Sequence, residues 1–142
     1  AQWLAADLAD LHRAPIITFG LEEGAEIRPE ELEVDAAGSR FRAAGIEIET
    51  SLRGIFNVEN VLGAVAAGLL LDLDESAIAN GIAGVAGVPG RFEVVDEGQP
   101  FAAIVDYSHT PDSLETALGA ARGLGEGRLI VVFGAGGDRD RG

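Results

Sequence analysis

The sequence predicts an α/β protein, and three observations predict it. Apolar residues recur at helical spacing from Asn57 to Leu70, with Val58, Val61, Leu62, Val65, Ala66 and Leu69 at i, i+3, i+4, i+7, i+8 and i+11. Between Glu31 and Glu49 the apolar residues come in short alternating runs split by Gly38 and Gly45. Ala102-Ala103-Ile104-Val105 and Leu129-Ile130-Val131-Val132-Phe133 are near-continuous apolar runs, the pattern of parallel strands covered on both faces.

In chain order, Trp3, Leu4, Leu8 and Leu11 predict a helix over Gln2–Leu11 that Pro15 ends, and Ile16-Ile17-Thr18-Phe19 reads as a strand, one αβ unit of a larger sheet. Leu32/Val34, Phe41 and Ile46/Ile48 then predict a small antiparallel meander with a structural role. The helix over Asn57–Leu70 opens with Asn57 at the position of an N-cap and Asn60 on a different face from the stripe. A second helix over Glu75–Ile82 follows Asp74 and turns Ile78 and Ile82 inward.

Gly87-Val88-Pro89-Gly90-Arg91 supplies turn geometry and little packing, so a boundary near Gly90 divides residues 1–90 from 91–142. Beyond it come strands over Phe92–Val95 and Phe101–Asp106, a helix over Pro111–Arg122 and a strand over Leu129–Phe133. A strand, a crossover helix and a parallel strand form a right-handed βαβ unit whose two strands end at one sheet edge. That edge would carry Asp106 to Asp112 and the Gly134–Asp140 loop.

Composition removes several functions. The 142 residues hold 24 acidic and 10 basic side chains, a net charge of −14 that disfavours a nucleic-acid backbone as partner. Every basic residue is Arg, and a phosphate loop of the P-loop kind needs Lys. No Cys is present, which removes disulfides and thiolate metal sites. No apolar run reaches the roughly 18 residues of a membrane span. The absence of Met and an opening within an apparent helix predict a piece of a longer protein.

Thr110-Pro111-Asp112-Ser113-Leu114-Glu115 is a helix start: Thr110 caps, Pro111 suits the first helical position, and Asp112 and Glu115 complement the dipole. Capping leaves over Asp106, Tyr107 and His109. An Asp at the carboxyl end of an apolar parallel strand has no structural duty and is read as functional. Asp106-x-x-His109-x-x-Asp112 also admits a divalent-metal reading, against which Asp112 already serves the helix start. Arg91 is either a surface Arg or a guanidinium held by the turn to grip phosphate or ribose. The Gly134–Gly137 run lacks the full dinucleotide pattern and better suits a loop presenting Asp138, Arg139 and Asp140 to a polar ligand.

Gly54-Ile55-Phe56-Asn57-Val58-Glu59-Asn60, Gly90-Arg91, Val105-Asp106-Tyr107-Ser108-His109-Thr110-Pro111-Asp112 and Phe133-Gly134-Ala135-Gly136-Gly137-Asp138-Arg139-Asp140, in this order, resemble the motifs of the Mur ligases. Within that family the sequence is most similar to the members that add the third amino acid to the peptide of peptidoglycan. Ser108 stands where Ala is usual, and Ala135 where Cys is usual.

The resemblance implies the end of a central P-loop-type ATPase domain in residues 1–90 and the start of a Rossmann-like C-terminal domain with parallel strands in 91–142. It implies a cytoplasmic, monomeric enzyme with ATP and Mg2+ as cofactors. Its reaction would be acyl-phosphate formation on UDP-N-acetylmuramoyl-L-Ala-D-Glu, then attack by the amine of meso-diaminopimelate or L-lysine. By the same resemblance Asn57 and Asn60 lie near the adenine, Arg91 and Asp106 contact ATP with Asp106 catalytic, His109 shapes that pocket, and Arg139 faces the incoming amino acid. The family's phosphate loop, Mg2+ ligands, carbamylated Lys and amino-acid-selecting motif match nothing in Ala1–Gly142, so these residues alone are not expected to ligate. A folylpolyglutamate synthase-like ligase and a non-catalytic nucleotide-binding module remain the alternatives.

Overall fold

The computed structural model describes residues 15–134. They fall into two compact units divided between Val88 and Pro89.

In the first unit, strands β1 (Glu30–Val34), β2 (Ser39–Ala43) and β3 (Ile46–Thr50) form an antiparallel sheet in sequence order. Strict alternation builds its two inner strands. Phe41, Ala43, Ile46 and Ile48 face the core, while Arg40, Arg42, Glu47 and Glu49 stand on the other face. Opposite charges meet across the ladder, Arg40 with Glu49 and Arg42 with Glu47. These pairs are exposed and add little to stability; the register is fixed by the apolar set, which a one-residue slip would turn outward. A two-residue turn, Ala44 (φ 51°) and Gly45 (φ 82°), joins β2 to β3, with both residues left-handed as a type I′ hairpin requires. In β1 the register shifts between Glu30 and Glu33, and Glu31 has φ 54°. The bulge breaks the alternation, so Leu32 turns partly inward and Val34 stays exposed.

Helix α1 (Ile55–Leu70) covers the sheet with the stripe read from the sequence: Val58, Val61, Leu62, Val65 and Ala66 are buried. Burying each of the larger side chains stabilises by about 1.5–3 kcal/mol. The helix starts two residues before Asn57. Gly54 (φ 89°) turns the chain and serves as N-cap, so Asn57 is not the cap the sequence suggested. At the other end the Leu73 N–H reaches the Gly68 carbonyl and the Asp72 N–H the Leu69 carbonyl, a Schellman motif with Asp72 rather than Gly in the left-handed position. Helix α2 (Glu75–Ala83) packs Ile78 and Ile82 into the same core. It lies so close to α1 that a Cβ on Gly68 would sit 2.7 Å from Ile78 Cγ1.

Residues 16–19 do not form the expected strand. Phe19 makes one parallel bridge to Ile27, and Glu26 binds the Thr18 amide and hydroxyl instead of a ladder partner. The helix expected over Gln2–Leu11 lies outside the described residues.

In the second unit, β4 (Glu93–Val95) and β5 (Ala103–Val105) form an antiparallel hairpin with Glu93 opposite Val105 and Val95 opposite Ala103. Helix α3 (Pro111–Gly123) follows. The expected parallel pairing is not found: β5 pairs with β4, and Leu129–Phe133 is not a strand among the described residues. Val132 and Phe133 are 95% and 78% exposed. An apolar run becomes a strand only where a neighbour takes its N–H and C=O groups, and within residues 15–134 none does so for this run. No helix among the described residues is long and apolar enough to cross a membrane.

Candidate functional site

The hairpin of the second unit closes on a carboxylate. Phe92 precedes β4 and Asp106 follows β5, and the Phe92 N–H donates to Asp106 Oδ2 at 2.7 Å. The Ser108 N–H donates to Oδ1 at 2.8 Å, and the Ser108 hydroxyl donates to the same oxygen. This is an Asx turn carried on from a strand end. The Ser108 hydroxyl also lies 3.1 Å from the Ser113 carbonyl oxygen. Having one proton, it serves one acceptor at a time, and it links the strand end to the first turn of α3.

Asp106 therefore has the structural duty that its sequence position did not reveal. Partial burial pushes its carboxyl up, but the Ser108 hydroxyl, the Phe92 and Ser108 amides and the nearby Arg91 charge together outweigh burial and hold it below the ordinary carboxylate range. Near neutral pH it is an anion and a poor proton acceptor.

Phe92 is 5% exposed and has φ 48°, a conformation that costs a bulky residue about 1–3 kcal/mol. Its burial and its bond to Asp106 hold it there. Gly90, on the other side of Arg91, also has positive φ, 71°. Arg91 thus projects from a tight bend, and its guanidinium carbon lies 5.1 Å from the centroid of the Tyr107 ring.

The His109 and Tyr107 rings meet edge to face, centroids 5.1 Å apart and planes at 64°. His109 Nδ1 is 2.9 Å from the Tyr107 carbonyl oxygen. A carbonyl only accepts, so Nδ1 carries the proton, and Nε2 is the accepting nitrogen of the neutral ring. The His109 N–H donates to Ser113 Oγ at 3.2 Å.

Thr110 caps α3 as the sequence predicts, within a capping box closed by Ser113: the Ser113 N–H donates to Thr110 Oγ1 at 3.2 Å and the Thr110 N–H to Ser113 Oγ at 3.0 Å. Asp112 is exposed in the first turn. Among the described residues no three His, Asp or Glu side chains are grouped to hold a metal ion, so Asp106, His109 and Asp112 do not form the metal triad their spacing admits.

The structure thus brings together Arg91, Asp106 and His109 within the second unit. Asn57 and Asn60 are neighbours in the first. Asn57 Nδ2 donates to the Arg53 carbonyl at 2.8 Å, tying helix α1 to the segment before it, and Asn60 Nδ2 donates to Asn57 Oδ1 at 3.1 Å. Asn60 is exposed and Asn57 half-buried. Arg139 lies outside the described residues. Two residues gained roles beyond those the sequence indicated, Ser108 and Tyr107. Ser108 sits two positions after an Asp, the spacing of an Asx turn, so its amide bond was legible. The hydroxyl bond and the Tyr107–Arg91 contact were not.

Comparison with known proteins places both units. The family model "Mur ligase middle domain" matches residues 3–68, and "Mur ligase, glutamate ligase domain" matches residues 90–142. The chain is 48% identical over 132 residues to the UDP-N-acetylmuramoyl-L-alanyl-D-glutamate--2,6-diaminopimelate ligase of Geobacillus thermodenitrificans (strain NG80-2), covering 90% of this chain and 27% of that protein. A solved structure of a ligase of the same name superposes with a TM-score of 0.68 at 32% identity, over 97% of this chain and 30% of the other. MurF from Acinetobacter baumannii superposes with a TM-score of 0.73 at 25% identity, over 84% of this chain and 26% of the other. The chain thus spans less than a third of the length of each of these relatives.

Proposed function

From the premise that the chain belongs to the Mur ligase family, we propose that it serves in an ATP-dependent ligase adding meso-diaminopimelate or L-lysine to UDP-N-acetylmuramoyl-L-Ala-D-Glu through an acyl-phosphate, in the cytoplasm. Residues 1–90 are the end of its central P-loop-type ATPase domain, and residues 91–142 the start of its Rossmann-like C-terminal domain. The two family matches and the break between Val88 and Pro89 support this division.

One observation carries the reading most directly. Within the stretch matched to the glutamate ligase domain, a clamped carboxylate and a guanidinium with no hydrogen bond or ion pair among the described residues lie on the same loop cluster. The guanidinium of Arg91 suits a phosphate, to which its planar fork donates two parallel bonds. Asp106 has about four lone-pair sites on its two oxygens. Three protein donors reach it, which leaves Oδ2 open to a ribose hydroxyl. Its depressed pKa suits holding such a hydroxyl better than moving a proton. Nε2 of His109 offers one acceptor on the same loop cluster. The side-chain amides of Asn57 and Asn60 have the donors and acceptors a purine edge needs, and Arg139 would meet the carboxylate of the incoming amino acid. ATP supplies the phosphoryl group that activates the substrate carboxylate. Mg2+ finds no ligand set among the described residues, and none of these roles runs through it.

The test is an ADP-release assay on the full-length enzyme. ADP should accumulate beyond one equivalent of enzyme only when the UDP-linked dipeptide and a diamino acid are both supplied, and Arg91→Ala should raise the KM for ATP about ten-fold or more, the loss of a charge-assisted bidentate contact. No ligation product with either diamino acid, or an unchanged KM for ATP in Arg91→Ala, would overturn the reading.

A further inference from the structure

We infer that Tyr107 is a positioning residue, a ring platform that holds the Arg91 guanidinium ready for an anionic ligand. The inference rests on the reading that Arg91 grips the nucleotide, and it assigns to Tyr107 a role that the resemblance does not give it.

Tyr107 does no packing work that would explain a large ring here. It is 61% exposed, and it follows directly on the residue that clamps the hairpin. The guanidinium carbon of Arg91 lies 5.1 Å from its centroid, within reach of the negative face of the ring. His109 meets the same ring edge to face at 5.1 Å. These contacts set two polar side chains, Arg91 and His109, around one aromatic.

The backbone supplies an independent argument. Gly90 and Phe92, on either side of Arg91, have φ of 71° and 48°, and Phe92 is held by burial and by the Asp106 carboxylate. The bend fixes the Arg91 Cα and leaves its long side chain to be placed by what it touches. Among the described residues the Arg91 guanidinium has no hydrogen bond or salt bridge; it lies over the Tyr107 ring, with the Asp106 charge nearby. A cation over a ring face is held through its charge and spends none of its N–H donors on the ring, so the platform orders the side chain without occupying the donors that a phosphate or carboxylate would take. An ordered donor set loses less conformational freedom on binding, which raises affinity with no added ligand contact.

The experiment measures steady-state kinetics of the full-length enzyme. Tyr107→Leu should raise the KM for ATP about three-fold, the size of an exposed cation–π contact. It should change kcat less than that and leave the KM for the UDP-linked dipeptide in place, while Tyr107→Phe, which keeps the ring, should restore the wild-type KM for ATP. In an Arg91→Ala background Tyr107→Leu should add nothing. Should Tyr107→Leu fold poorly, a series of increasingly fluorinated phenylalanines at position 107 keeps the shape while emptying the ring face of negative charge, and the KM for ATP should rise with each fluorine. A KM that ignores fluorination, or effects of Tyr107→Leu and Arg91→Ala that simply multiply, would overturn the inference while leaving Arg91 as the anion grip. A KM for ATP that Arg91→Ala does not move would overturn the nucleotide reading, and the platform role with it.

Discussion

The Asp106 carboxylate accepts the Phe92 backbone N–H at 2.7 Å, so the last residue of one strand's extension holds the first residue of its partner's. The side chain proposed to meet the nucleotide is therefore also the clasp of the β4–β5 hairpin. Any substitution of Asp106 acts on fold and function together, and the two must be separated by choice of variant.

Asp106→Ala leaves the Phe92 and Ser108 amides without their acceptor and should destabilise the second unit by about 1–3 kcal/mol, the range for removing a charged hydrogen-bond partner. Asp106→Asn retains an acceptor oxygen for one of them and should lose less. Hydrogen exchange of the β4–β5 amides reads the fold directly: faster exchange is expected in the Ala variant, with the Asn variant between it and wild type. Equal protection in all three would show that the clasp carries no stability.

The same clasp has a pH signature. The folded pKa of Asp106 lies below its unfolded value, near the ordinary value of about 3.9. Between the two values the unfolded chain binds more protons, so stability rises with pH there. The contribution is fully present above about pH 4 and is lost as pH falls through the folded pKa. The amide protons of Phe92 and Ser108 should shift together in an NMR titration, with a common midpoint below about 3.9. A midpoint at or above that value would contradict the hydrogen-bonded anion.

The sheet of the first unit gives a prediction remote from the site. Ala44 holds a left-handed φ of 51° in a type I′ turn, a position that favours Asn or Asp. Ala44→Asn should stabilise by about 0.5–1 kcal/mol. Gly38→Ala should do the opposite, by more than about 1 kcal/mol, because its Cβ would sit 2.0 Å from the Thr50 carbonyl oxygen. Thermal unfolding of the two variants should move Tm in opposite directions; a lower Tm for Ala44→Asn would refute the turn assignment.

Much of the fold was legible because it rests on short-range rules. The α1 stripe, the alternation of Phe41, Ala43, Ile46 and Ile48, and the Thr110-Pro111 helix start are periodicities and caps that a local window contains. Where a local rule met a better local competitor it failed: Asn57 has cap chemistry, yet Gly54, free to adopt φ 89°, turned the chain first. Asp72 stopped α1 with no Gly to announce it.

By itself the sequence determined which residue types stand near the carboxyl end of β5, the absence of Lys, and the ordered motifs of a Mur ligase. Only the tertiary structure decided what those residues do. Asp106 finds its partner 14 residues away, and Arg91 meets Tyr107 across the same hairpin. Leu129–Phe133, apolar enough for a strand, gains no ladder within residues 15–134. The physical reason is common to all three. Hydrogen-bond donors, charges and strand edges are satisfied by whatever the fold brings to them, and a one-dimensional pattern states the need without naming the partner.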